Sequence, residues 1–307
     1  MSLARSLLLQ ASRSEWLAEQ FRRRAFAQRA VKRFMPGEDL ESALQAAAEF
    51  GTVGIGTILT ELGERVTSRS EAAAVRDHYL GVLKSIRERF LPSVVSVKLT
   101  HLGLDGDRAA CIKDVMTLAE AAGAEGSFLW IDMEESNYVD ATLEVFRQVR
   151  AVYENVGVAL QAYLRRTAAD VDALLPLKPA IRLVKGAYNE PPLVAFPAKR
   201  DTDANYFALG SKLLEAAGQG RASPVFGTHD LGLVARLRER ATQLKVSPSA
   251  YEFAMLYGIR AADQQRLAAQ GAKVRVLISY GSAWFAWYLR RLAERPANVW
   301  FVLRTLF

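Results

Sequence analysis

The chain has 307 residues, half of them hydrophobic and about a quarter charged, with a formal net charge of +7. That is room for one large single-core domain of ordinary globular composition. No run approaches the ~20 uninterrupted apolar residues of a membrane span, and Leu7-Leu8-Leu9, flanked by Arg5 and Arg13, is too short for a signal-peptide core. A single cysteine, Cys111, excludes an internal disulfide and fits a reducing, cytoplasmic setting. His78, His101 and His229 show no metal-ligand spacing, so no metal site is expected.

In chain order, residues 3–34 read as helix, ended by Met35-Pro36-Gly37, and residues 38–50 as a second helical stretch. Residues 1–33 carry eight basic and two acidic side chains, so six of the seven net positive charges lie there. The plain reading is a solvated helical face. The alternatives are a contact with anionic lipid, which puts the chain peripherally on the inner face of a membrane, or an organelle transit peptide. No nucleic-acid-binding motif accompanies the charge, so no nucleic acid partner is expected.

From Gly54 onward, short β-branched apolar runs alternate with helical patterns. The strands are expected at 54–59, 93–100, 127–133, 156–163, 181–187, 223–229, 251–256 and 274–280. The helices are expected near 69–90, 106–122, 137–153, 167–175, 203–217, 231–244, 261–269 and 283–294. Near-continuous apolar strands, each followed by a helix, are parallel strands buried on both faces. Eight such units predict an α/β fold, a single distorted (βα)8 TIM-like barrel of residues 51–307 behind an N-terminal helical arm of residues 1–50. An open doubly wound sheet is the alternative.

Charged and polar residues interrupt the strands almost only at their carboxyl ends, the face on which barrel enzymes build active sites. Lys98 and Thr100 close the second strand, Asp132 the third, Gln161 and Tyr163 the fourth, Thr228 and His229 the sixth, and Tyr280 the eighth. Neighbouring strands lie ~4.8 Å apart, so an ion pair between Lys98 and Asp132 is expected. In the fifth strand, alternation puts Arg182, Val184 and Gly186 on one face and Lys185 on the other, pointing outward unless the strand end bends. Gly186 allows a flat ligand to approach closely. Thr228-His229-Asp230 opens a helix, where Thr or Asp serves as a cap or backbone N–H groups hold a phosphate. Arg290 and Arg291 sit together on the last helix and are suited to fork around one carboxylate.

Taken together, Val97-Lys98-Leu99-Thr100, Ile131-Asp132-Met133-Glu134, Leu160-Gln161-Ala162-Tyr163, Arg182-Leu183-Val184-Lys185-Gly186-Ala187-Tyr188, Thr228-His229-Asp230, Tyr257-Gly258 and Arg290-Arg291-Leu292-Ala293-Glu294 resemble the proline dehydrogenase family, in order, from about residue 36 onward. The closest form is the short monofunctional bacterial enzyme. The resemblance implies FAD held without a Rossmann fingerprint, and the chain has no such glycine motif. It implies oxidation of L-proline to Δ1-pyrroline-5-carboxylate in proline catabolism, with electrons passed to a quinone at the membrane.

By residue, the resemblance implies Asp132 and Arg182 as catalytic, with Arg182 beside the flavin. It assigns Lys98, Tyr188, Leu277, Arg290 and Arg291 to the proline pocket. FAD falls to Met133, Gln161, Arg182, Lys185, Gly186, Ala187, Thr228, His229 and Leu256. Four positions depart from the family pattern: Leu277 and Trp287 stand where tyrosine is usual, Ala254 where glutamine is, and Thr60 where aspartate is. They leave open a bulkier, cyclic or N-substituted imino acid as substrate. Other readings of the same residues are a Schiff-base aldolase using Lys98 or Lys185 and a non-catalytic proline-binding barrel. A homo-oligomer is compatible with all of them.

Overall fold

A computed structural model describes residues 33–293, with residues 286 and 290–293 by backbone alone. Eight parallel strands close into a barrel in sequence order: β1 Gly56–Glu61, β2 Ser93–Val97, β3 Leu129–Ile131, β4 Val156–Gln161, β5 Ala180–Val184, β6 Ser223–Gly227, β7 Glu252–Leu256 and β8 Val274–Tyr280. The closing seam is the longest, pairing β1 with β8 from Gly56–Arg275 to Glu61–Tyr280. Helix α1 (Leu40–Thr52) packs on β1 and β8. A helix follows each strand: α2 Arg69–Glu88, α3 Arg108–Ala124, α4 Val139–Arg150, α5 Thr167–Leu174, α6 Lys199–Gly218, α7 Leu231–Gln243, α8 Ala261–Ala269 and α9 Trp284–Ala293. The expected arm over residues 1–32 lies outside the described residues.

The strands take this form because they are apolar and β-branched on both faces. Every residue of β2, β3 and β4 is buried. The helices bury one stripe; in α4 it is Val139, Ala141, Thr142, Leu143, Val145, Phe146 and Val149. Aspartates start three of them. Asp39 accepts from Ser42 N at 2.7 Å, Asp107 from Ala110 N at 2.9 Å, and Asp230 from Gly232 N and Leu233 N at 3.2 and 3.3 Å.

Inside the barrel, Ile58, Val94, Trp130, Ala180, Val225 and Ala254 form one cluster, with Phe128 and Leu277 against it. Trp130 fills the middle, and Gly157 on the next strand makes room for it. A Cβ there would stand 2.6 Å from the indole ring. Toward the amino end, Arg275 donates to Glu252 Oε2 at 2.5 Å and supports the floor.

Strands β2 to β6 are shorter at their carboxyl ends than the apolar pattern predicts, β7 and β8 end where it predicts, and β1 runs two residues further, to Glu61. Ladder pairing stops at Val97, because the chain turns there and the amides of His101 and Leu102 bond back to Lys98 O at 3.2 Å. It stops at Val184, because the backbone swings to φ +110° at Gly186. Lys98, Thr100, Asp132, Lys185, Thr228 and His229 therefore sit on the first loop positions beyond the sheet, while Gln161 and Arg182 stay within β4 and β5. That is where side chains reach over the barrel mouth.

Candidate active site

Arg182 is the centre of the mouth. It is 3% exposed, and its carbon-rich stem runs through the barrel interior on β5. The guanidinium lies over the Trp130 ring, 5.2 Å from its centroid. Arg182 Nη2 donates to Asp132 Oδ1 and, at 3.0 Å, to Ser96 Oγ, while Ser96 Oγ donates to Asp132 Oδ1 at 2.8 Å. Three side chains from β2, β5 and the end of β3 thus form one closed triangle.

The expected ion pair between Lys98 and Asp132 is corrected by this geometry. Asp132 gives its carboxylate to Arg182 and Ser96. Strand adjacency limits which residues can meet; it does not choose between a lysine next door and an arginine reaching across the lumen. Arg182 wins because its long planar group also satisfies Ser96 and rests on Trp130. Lys98 is 8% exposed, and among the described residues no carboxylate comes within ion-pair distance of it.

Below Lys98 the chain is tied down by a second carboxylate. Glu134 Oε1 accepts from Thr100 N at 3.1 Å and Glu134 Oε2 from Thr100 Oγ1 at 2.6 Å. Burial pushes the Glu134 carboxyl up to about 7, against the pull of the Thr100 bonds and of Lys98. Beside it, burial and then Lys98 push the His101 imidazole down to about 4. Outside the barrel wall, Tyr79 OH accepts from Glu61 N at 2.9 Å and donates to Ser96 O at 3.0 Å, locking β1 to β2. Tyr280, expected at the mouth, points outward instead, and its hydroxyl lies 2.9 Å from His78 Nε2.

The opposite side of the mouth is lined by the residues expected to hold a cofactor. Gln161 Nε2 donates to Met133 O at 3.4 Å, and both side chains are buried. Gln161 Oε1 and Arg182 Nη1 are buried without a partner among the described residues. Unpaired buried polar atoms are costly, about 1–3 kcal/mol each, and a ligand edge offering a donor to one and an acceptor to the other removes the cost. Gly186 shapes the same wall: a Cβ would stand 2.1 Å from the Tyr163 ring, and its φ is one that side chains rarely adopt. Ala187 and Tyr188 follow it, half-buried, on the loop toward α6.

His229 Nε2 accepts from Leu256 N at 2.9 Å, which leaves the ring proton on Nδ1 and fixes the imidazole between β6 and β7. Thr228 Oγ1 accepts from Asp230 N at 3.1 Å, and Asp230 caps α7, so both capping residues act as the sequence suggests. Lys185 points outward, as alternation predicts. Its Nζ donates to Asp203 Oδ1 at 2.5 Å and to Asp230 Oδ2 at 3.0 Å. Burial opposes ionisation of Asp230, but the Lys185 bond and charge, the Leu233 amide and the Lys199 charge together outweigh it and hold the carboxyl below the ordinary range. The Lys185 side chain is therefore spent on the helix N-termini rather than on the lumen. Leu277 projects half-buried against the interior cluster, Trp287 is buried on α9, and Ala254 and Thr60 are buried in β7 and β1. The side chains of Arg290 and Arg291 lie outside the described residues.

Sequence reasoning missed Ser96, Trp130 and Glu134 as parts of the site. Ser96 carried a usable signal, a hydroxyl in the otherwise apolar Val94-Val95-Ser96-Val97. Trp130 looked like core, which it also is. Among the described residues no group of acidic, histidine or cysteine side chains is arranged to hold a metal ion, and no helix is long and apolar enough to cross a membrane.

Comparison with known proteins places this geometry. Two curated relatives match over nearly their whole length. Proline dehydrogenase 1 of Bacillus subtilis (strain 168) is 37% identical over 274 residues, covering 89% of each chain. Proline dehydrogenase of Deinococcus radiodurans is 36% identical over 279 residues, again covering 89% of each. Among solved structures, proline utilization A (PutA) of Bdellovibrio bacteriovorus superposes with a TM-score of 0.80 at 24% identity, which speaks for the fold. PutA of Bradyrhizobium japonicum gives 0.75 at 26%. Each superposition covers 87% of this chain, which spans only about a third of those longer proteins, 33% and 31% respectively. The profile of the proline dehydrogenase family matches residues 43–304, and the chain belongs to that family.

Proposed function

We propose that the chain oxidises L-proline to Δ1-pyrroline-5-carboxylate with FAD bound at the barrel mouth and passes the electrons to a quinone. The observation that carries this reading is the pair of buried atoms without a partner among the described residues, Arg182 Nη1 and Gln161 Oε1, on β5 of the Asp132–Ser96–Arg182 triangle and its neighbour β4. Gln161, Met133, Arg182, Gly186, Ala187, Thr228, His229 and Leu256 would hold FAD, with Lys185 acting through Asp203 and Asp230 at the helix ends. When bound, FAD supplies the acceptor for the hydride.

The side chains supply position and field. Proline loses a hydride from the ring carbon next to nitrogen and a proton from the nitrogen, leaving a C=N bond. Arg290 and Arg291 would take the substrate carboxylate, and Lys98, Tyr188 and Leu277 would line the pocket. Arg182, fixed by Asp132 and Ser96 before substrate arrives, places positive charge where negative charge develops, which is preorganised stabilisation. The Trp130 ring beneath excludes water from the lumen side. Schiff-base chemistry at Lys98 or Lys185 draws no support from the family, and Lys185 is engaged with two aspartates.

The test is a visible spectrum of the purified protein followed by anaerobic L-proline. A yellow protein whose flavin bands bleach supports the reading; a colourless protein, or a yellow one that N-substituted or larger ring analogues bleach and proline does not, counts against it. Membrane vesicles containing a quinone should reoxidise the bleached protein in the absence of oxygen.

A further inference from the structure

Glu134 is 3% exposed, holds no ion pair among the described residues, and spends both carboxylate oxygens on Thr100. Its place in the fold is what makes that arrangement consequential. The last ladder bond between β2 and β3 runs from Asp132 N to Val97 O at 2.8 Å. Beyond it, Lys98 and Asp132 leave the sheet, and two residues further along each loop the Thr100–Glu134 bonds tie the loops together again. The turn carrying Lys98 closes on itself through His101 N and Leu102 N to Lys98 O, so a clamp on Thr100 is a clamp on Lys98.

Hydrogen bonding alone does not require a carboxylate here. A glutamine would accept from the Thr100 amide and donate to the Thr100 hydroxyl, which is both donor and acceptor, and so keep both bonds without a buried charge. A buried charge is expensive unless it is used. The charge acts on Lys98, just beyond β2, with Glu64 of the β1–α2 connection and Cys111 of α3 as the other titratable neighbours of Glu134, and Glu61 at the end of β1 as the other carboxylate whose charge reaches Lys98. Arg182 has taken Asp132, and Lys98 has no carboxylate at contact distance among the described residues.

We propose that Glu134 is a positioning residue for proline oxidation: it braces the turn that carries Lys98 and provides the negative charge that holds the Lys98 ammonium at the rim. This rests on the proline-oxidising reading of the same mouth. Only the ionised form does both jobs, so activity rises as Glu134 loses its proton, in a step near neutral pH.

The experiment compares wild type, Glu134→Gln and Thr100→Val as flavin-loaded full-length protein, measuring kcat, KM and their pH profiles with L-proline. Glu134→Gln is expected to keep the wild-type flavin spectrum and thermal midpoint, lose about tenfold in kcat/KM, chiefly through KM, and lack the step near pH 7. Thr100→Val removes one hydrogen bond to the carboxylate and should move that step to higher pH. Glu134→Gln with wild-type KM and pH profile would overturn the proposal and leave a structural brace. If Glu134→Gln does not accumulate as folded protein, Thr100→Val decides, and an unmoved step overturns it. Bleaching of the wild-type flavin by proline tests the function separately from any of these variants.

Discussion

At the scale of single residues, the mouth depends on groups fixed in place before any ligand enters. Arg182→Lys keeps the charge but has no planar fork to serve Asp132 and Ser96 together. It should lower kcat on proline by about 100-fold, the scale of losing one preorganised donor, while the circular dichroism spectrum stays that of the wild type. Steady-state kinetics on the folded variant checks this. Gly186→Ala is expected to fail differently: the added methyl enters the Tyr163 ring and the backbone resists φ +110°. The purified variant should carry less than a tenth of its flavin, read as the ratio of visible to ultraviolet absorbance.

Arg182, Asp132 and Gly186 were legible in the sequence because a charge or a glycine inside an apolar strand has few structural explanations. The partner of Asp132 was not. Lys98 and Arg182 both sit within reach of it, and side-chain length and the support of Trp130 and Ser96 decide between them. Those quantities exist only once the lumen is closed.

At the scale of elements, short continuous apolar runs marked all eight strands and helical patterns the segments between them, since each strand is buried on both faces and each helix on one. Their ends were less legible. Lys98 through Thr100 and Lys185 through Ala187 continue their strands without a turn signal that stands out in sequence, and only the turn bonds to Lys98 O and the conformation of Gly186 stop them.

The end of α2 carries a testable irregularity. Phe90 occupies a left-handed position, φ +52°, where the amides of Phe90 and Leu91 bond back to Arg87 O and Ile86 O. Left-handed backbone costs a residue with a side chain about 1–2 kcal/mol. The ring is 87% exposed, so little burial offsets that cost. After allowing about 0.5–1 kcal/mol for the greater freedom of unfolded glycine, Phe90→Gly should stabilise the fold by about 0.5–1 kcal/mol. Urea unfolding midpoints measure it; a lower midpoint would show that the exposed ring has a use of its own.

For the whole molecule, two buried groups at the mouth couple stability to pH with opposite signs. His101 is held neutral in the fold, its proton affinity depressed to about 4 from the ordinary 6.5. As pH falls from 6.5 toward 4 the unfolded chain takes up a proton that the folded chain refuses, and stability is lost over that window. Glu134 behaves in the reverse way. Its folded value is raised to about 7 from 4.5, so the stability present below 4.5 is lost as pH rises toward 7. His101→Gln should therefore lose less stability between pH 6.5 and pH 5 than the wild type does, in denaturant titrations at the two pH values. An identical loss would mean that the imidazole is already exposed to water when folded.

The seam between β1 and β8 has a consequence for how the molecule comes into being. A cylinder whose first stave is joined to its last cannot be sealed while the chain is still emerging from the ribosome, because the final stave arrives late. Until then β1 and β7 are raw borders, each offering a row of bare amides and carbonyls to any neighbouring copy. The redox pocket is thus a product of completion. On the flavin reading proposed above, loading follows the arrival of β8, and a nascent chain halted ahead of Val274 should clump rather than turn yellow.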